Sequence, residues 1–103
     1  MKDIFSTTEM LSKLIAFDTT SSKSNKPMID FISEFLNRHN ITCNIGSNQE
    51  GTKGDLLATI GPMVEGGIVL SGHTDIVPVD DQDWESNPFT LTKKNKKLFF
   101  CIK

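Results

Sequence analysis

Ser71-Gly72-His73-Thr74-Asp75-Ile76-Val77-Pro78 closes an apolar run, Gly67-Ile68-Val69-Leu70. That run is short, β-branched and bounded by glycines, which predicts a buried strand. Alternate side chains of a strand share a face, so His73 and Asp75 are expected to point the same way. A neutral imidazole beside a carboxylate is a common start to a metal site. The carboxylate either fixes the histidine tautomer or binds a second metal itself.

Working outward, the chain has 103 residues, which predicts one domain. An apolar share of 37% and a charged share of 23% argue against disorder. The net charge of −2 gives no general attraction to nucleic acid or an anionic membrane. Lysine far outnumbers arginine, which disfavours bidentate phosphate clamps. No apolar run approaches the length of a membrane span, and Met1-Lys2-Asp3-Ile4-Phe5-Ser6 shows no signal-peptide core. Cys43 and Cys101 form no CxxC pair and read as small buried apolar residues. A cytoplasmic, reduced chain is the expectation.

Ser6-Thr7-Thr8-Glu9 fits a capping box, and Met10, Leu11, Leu14 and Ile15 follow at helical spacing. A helix is expected over about 7–17, then a polar loop from Asp18 to Ser22. A second helix is expected from about Asn25, with Pro27 in its first turn and Asn40 ending it. Its stripe is Met28, Ile29, Ile32, Phe35 and Leu36. His39 continues that stripe in the last turn, where a histidine packs its ring and favours the negative helix end. Strands are expected over 41–45, 56–60 and 68–70. A hairpin is expected from 89–92 and 98–102, around the Lys93-Lys94-Asn95-Lys96-Lys97 turn. That lysine cluster lacks glycine-aromatic interleaving and reads as a solvated turn. Gly51-Thr52-Lys53-Gly54 lacks phosphate-loop spacing.

At His73-Thr74-Asp75 the chain resembles the M20 family of metallopeptidases and amidohydrolases, above all the branch that removes an acetyl group in arginine biosynthesis. The flanks carry the resemblance: Leu70-Ser71-Gly72-His73-Thr74-Asp75-Ile76-Val77-Pro78-Val79-Asp80, then Trp84 and Asn87-Pro88-Phe89-Thr90-Leu91-Thr92. Leu14–Ser21, Met28–Phe31 and Glu50–Pro62 are similar to the family's earlier segments.

The resemblance implies an α/β fold: the N-terminal part of a mostly parallel-sheet metallohydrolase catalytic domain, helices packed on the sheet. It implies His73 as a ligand of a Zn²⁺ or Co²⁺ pair and Asp75 as the catalytic-site carboxylate orienting it. The substrate implied is a small N-acyl amino acid, hydrolysed at a linear amide. Asp81 replaces a frequent glycine, and Asn87 a frequent aspartate. After Lys97-Leu98 the family continues into a tyrosine or phenylalanine and then GRGxxDMKG, where this chain has Phe99 followed by Phe100-Cys101-Ile102-Lys103. That segment, the Glu-Glu pair, the remaining ligands and the lid domain have no counterpart here. Residues 1–103 are therefore expected to be a fragment of the catalytic domain, inactive alone. The alternatives are a non-enzymatic truncated product, or a module that needs a partner chain to complete the fold.

Overall fold

Ser6 opens the first helix. Its hydroxyl accepts from the Glu9 amide at 3.1 Å, a cap typically worth about 1 kcal/mol. The structure is a computed structural model, and it describes residues 4–99. Helix α1 spans Thr7–Ile15, two residues short of the expected end. The chain leaves the helix into Asp18-Thr19-Thr20, where the Asp18 carboxylate accepts from the Thr20 amide at 3.1 Å and competes with further helix.

Helix α2, Lys26–Arg38, carries Pro27 in its first turn, as expected. Its end is a Schellman motif. Asn40 is left-handed at φ 62°, the Asn40 amide donates to Asn37 and the Ile41 amide to Leu36, both at 3.0 Å. His39 packs its ring on Phe35, with centroids 4.5 Å apart and Nδ1 2.8 Å from the Phe35 carbonyl. That is the packing role expected of it. Exposed pairs Arg38–Glu34 and Lys26–Asp30 brace the outer face.

Strands β1 (Cys43–Ser47) and β2 (Gly54–Ala58) form an antiparallel hairpin, with Cys43 opposite Ala58 and Ser47 opposite Gly54. The turn is built by Asn48, whose Oδ1 accepts from the amides of Thr52 and Lys53 at 2.9 and 3.0 Å. Helix α2 rests on this hairpin. A Cβ on Gly54 would stand 3.2 Å from the Lys26 side chain and 3.6 Å from that of Ile29, so glycine permits the close approach. Helix α1 meets α2 through its flanks, Phe5 stacking on Phe35 and Phe17 tilting against Phe31. Cys43 is half-buried with a free thiol.

The second hairpin pairs β3 (Thr92–Lys94) with β4 (Lys97–Phe99). Its turn is tighter than the five-residue lysine turn expected. Asn95 and Lys96 both hold positive φ, 52° and 62°, matching a two-residue primed turn. Glycine takes that conformation without penalty, so Lys96→Gly should stabilise the hairpin by about 0.5–1 kcal/mol. Hydrogen-exchange protection of its cross-strand amides should rise accordingly. The part of the expected strand beyond Phe99, and Cys101, lie outside the described residues.

The expected α/β class is present: the described residues form two helices and two two-stranded antiparallel sheets, and the expected mostly parallel sheet is not among them. Ile68, Val69 and Leu70 are not a buried strand: they are 89%, 85% and 93% exposed and outside any sheet. A parallel strand is buried only between neighbouring strands and covering helices, and among the described residues none flank this run. Among the described residues the one parallel element is an isolated bridge between Thr20 and Ile76. Among the described residues Met28 and Ile29 are the only buried apolar side chains, and neither is fully enclosed. The radius of gyration is 15.9 Å, against about 13 Å for a compact domain of this length. Among the described residues, no helix is long and apolar enough to cross a membrane.

Candidate functional site

The Thr20–Ile76 bridge places the polar loop after α1 alongside the His73-Thr74-Asp75 segment. The Ile76 amide donates to Thr19 at 3.2 Å and the Ser21 amide to Ile76 at 3.0 Å. The buried Thr19 hydroxyl donates to the Thr74 carbonyl at 2.5 Å. Asn25 reaches the same residue from the start of α2, its Nδ2 lying 3.1 Å from Thr74 Oγ1.

Held in this way, His73 and Asp75 meet as their spacing predicts, though in an unpaired extended segment rather than at a strand end. His73 Nδ1 lies 3.0 Å from Asp75 Oδ1 and 3.1 Å from the Asp75 carbonyl oxygen. Both partners are acceptors, so Nδ1 carries the proton in the neutral ring, leaving the Nε2 lone pair free. The Ser21 hydroxyl stands 3.4 Å from the other Asp75 oxygen and 3.1 Å from the Ile76 carbonyl. Both site side chains are open to solvent, His73 at 84% and Asp75 at 64%.

Behind the pair lies a cleft of about 790 Å³. Leu14, Met28 and Ile32 form part of one wall, Trp84, Pro88 and Phe89 part of another. The Trp84 indole donates to the Val79 carbonyl at 2.9 Å, which fixes the ring. Asn87 Oδ1 accepts from the Phe89 amide at 2.9 Å, a bond an aspartate oxygen would make equally well. Asp81 sits at φ 59°, so the left-handed geometry that a glycine would suit is accepted by aspartate here.

The loop below the site has its own electrostatics. Asp18 pairs with Lys23, and Thr20 donates to the same carboxylate at 2.6 Å. The Lys23 ammonium first, and the Thr20 hydroxyl second, hold the Asp18 carboxyl down at about 2. Lys53 adds a second tie, donating to the carbonyls of Ser21 and Lys23. Because the folded value lies below the unfolded one, this stabilisation is present above the ordinary carboxylate range and lost as pH falls through about 2. Wild-type stability should therefore drop between about pH 4 and pH 2, and Asp18→Asn should remove that part of the drop. The pair is partly exposed, so the effect should be small and weaker in high salt. Denaturant titrations at each pH measure it.

Asn25, Thr19 and Ser21 were not legible as site residues. Asn25 reads as a helix start and 18–22 as a loop, and nothing in their spacing announces a contact more than 48 positions away. Among the described residues, no group of three or more His, Cys, Asp or Glu side chains converges to hold a metal ion. A catalytic zinc takes about three protein ligands. The described residues do not bring that many together.

His73 Nδ1 thus faces a carboxylate two residues on, beside an apolar cleft. No family model matches the chain. It is similar to acetylornithine deacetylases. It is 38% identical over 94 residues to that of Buchnera aphidicola subsp. Schizaphis graminum, covering 88% of this chain and 24% of that protein. It is 38% identical over 109 residues to that of Pasteurella multocida, covering 96% and 28%. It is 40% identical over 86 residues to that of Proteus mirabilis, covering 82% and 22%. The resemblance read from the SGHTDIVPVD stretch is thus shown over most of the chain. The chain spans about a quarter of the length of the curated relatives it matches.

Proposed function

We propose that this chain is the His73-bearing piece of a metal-dependent amidohydrolase that converts N-acetylornithine and water to ornithine and acetate, in cytoplasmic arginine biosynthesis. The observation that carries the reading is the 3.0 Å contact between His73 Nδ1 and Asp75 Oδ1, in a chain similar over most of its length to acetylornithine deacetylases. Asp75 holds the proton on Nδ1 and so orients the ring, and Nε2 is the atom offered to a zinc or cobalt ion. Such an ion, when bound, would polarise an amide carbonyl or acidify water. The other ligands and the general base would come from polypeptide beyond these residues. The cleft walled by Leu14, Ile32 and Trp84 suits the apolar parts of a small N-acyl amino acid.

The alternative is a chain without catalysis of its own, requiring a partner. The exposed Ile68-Val69-Leu70 run favours it, since unpaired apolar backbone of this kind seeks a neighbouring strand. The test exchanges this chain for the matching segment of an acetylornithine deacetylase to which it is similar. A chimera that hydrolyses N-acetylornithine supports the hydrolase reading. A folded chimera with no activity, beside an active parent, refutes it.

A further inference from the structure

We propose that Asn25 is a positioning residue for the His73–Asp75 pair, acting through Thr74. Asn25 stands at the N-cap of α2, where an asparagine ordinarily bonds the free amides of its own helix. Its side chain makes no such bond. It is turned across the fold instead. Nδ2 donates to the Gly54 carbonyl at 2.9 Å and to Thr74 Oγ1 at 3.1 Å, and Oδ1 accepts from the Gly54 amide at 2.8 Å. Both amide protons and the carbonyl oxygen are engaged. A planar group bonded at three points cannot turn without breaking them, so Thr74 is tied at a fixed distance from the first residue of β2.

The Thr74 carbonyl is held separately by the hydroxyl of buried Thr19. Thr74 is therefore gripped at side chain and backbone. It is the single residue between His73 and Asp75, and the contact of those two depends on its dihedral angles. Packing supplies little of that order, because the His73 and Asp75 side chains are 84% and 64% exposed. The clamp sets the geometry, and the geometry sets the tautomer: a proton on Nδ1 and a bare Nε2. What that tautomer does in hydrolysis rests on the proposed function; the clamp itself does not.

The experiment reads the ring nitrogens of His73 by long-range proton–nitrogen NMR on this chain at about pH 8. Wild type should show mainly the Nδ1–H form. Asn25→Asp keeps the acceptor for the Gly54 amide but loses the amide donor to both Thr74 Oγ1 and the Gly54 carbonyl. Thr74→Val removes the hydroxyl and leaves the Asn25–Gly54 bonds intact. Each should shift the tautomer ratio about fivefold toward Nε2–H, the size expected from one ordinary hydrogen bond. Thr74→Ser should restore the wild-type ratio, and the double variant should shift it no further than either single change. Unchanged Gly54 and α2 amide shifts in Thr74→Val certify the fold. A wild-type ratio in folded Thr74→Val, or a shift in Asn25→Asp alone, overturns the proposal. Neither outcome depends on deacetylase activity, which the chimera tests separately.

Discussion

Incubated with N-acetylornithine and Zn²⁺ or Co²⁺, this chain alone is expected to release no ornithine above the buffer rate. The expectation follows from the parts on hand. His73 and Asp75 provide one imidazole and one carboxylate, and no third ligand joins them among the described residues. A catalytic zinc needs about three protein ligands to hold it while one position stays open. A positioned general base typically adds about 10²–10⁴-fold, and no further acidic or histidine side chain converges on His73 and Asp75 among the described residues to act as one. Orientation of the substrate adds further orders of magnitude, and the cleft is largely apolar, with few groups to fix an amide. These losses compound. An amine-release assay, run beside His73→Ala, measures the outcome. Release that exceeds buffer and vanishes in His73→Ala would mean that the missing ligands are supplied within the chain or by a second copy of it.

Ile29→Ala should unfold α2 from the β1–β2 hairpin. Ile29 is 3% exposed, and with Met28 it is the whole of the buried apolar core among the described residues. Its Cγ2 lies 3.6 Å from where a Cβ on Gly54 would sit, at the point where helix and hairpin meet. Truncation of a buried isoleucine to alanine costs about 2–5 kcal/mol, the spread reflecting how far the cavity collapses. Domains of this size are stabilised by only about 5–15 kcal/mol, and so sparse a core points to the low end. Ile29→Ala should therefore lower the denaturation midpoint sharply and broaden the transition. Leu57→Ala, at a side chain 60% exposed on the same hairpin, is the control and should change little. Circular dichroism at the helix band, followed through a urea titration, separates the two.

Local signals in the sequence were read where the energetics are local. Ser6 caps α1, Pro27 opens α2, Asn40 closes it, and the glycines and asparagines around 46–54 turn the first hairpin, because each of these depends on a few neighbouring dihedral angles. The pairing of His73 with Asp75 was legible for the same reason: two residues apart, they need only an extended backbone between them. The Ile68–Leu70 run was misread because strand burial is not a local property. Its composition suits an interior parallel strand, but a strand is buried by its neighbours, and the described residues provide none beside it. Asn25 escaped for a related reason. An asparagine just before a lysine-proline step reads as a helix start, and only the folded chain shows its amide diverted to Gly54 and Thr74.

The measurement closest to the central claim is kcat/KM for N-acetylornithine hydrolysis by the chimera carrying this chain in place of a deacetylase's own segment, with His73 and Asp75 intact or changed. With both intact, activity should remain within about tenfold of the parent enzyme. His73→Ala should lower it by about 10³-fold or more, as loss of a metal-binding imidazole implies, and Asp75→Asn by about 10–100-fold, the usual cost of losing a carboxylate that orients a ligand. Equal activity in the intact and His73→Ala chimeras would contradict the assignment of His73 to the reaction, and with it the account of this chain as a hydrolase segment.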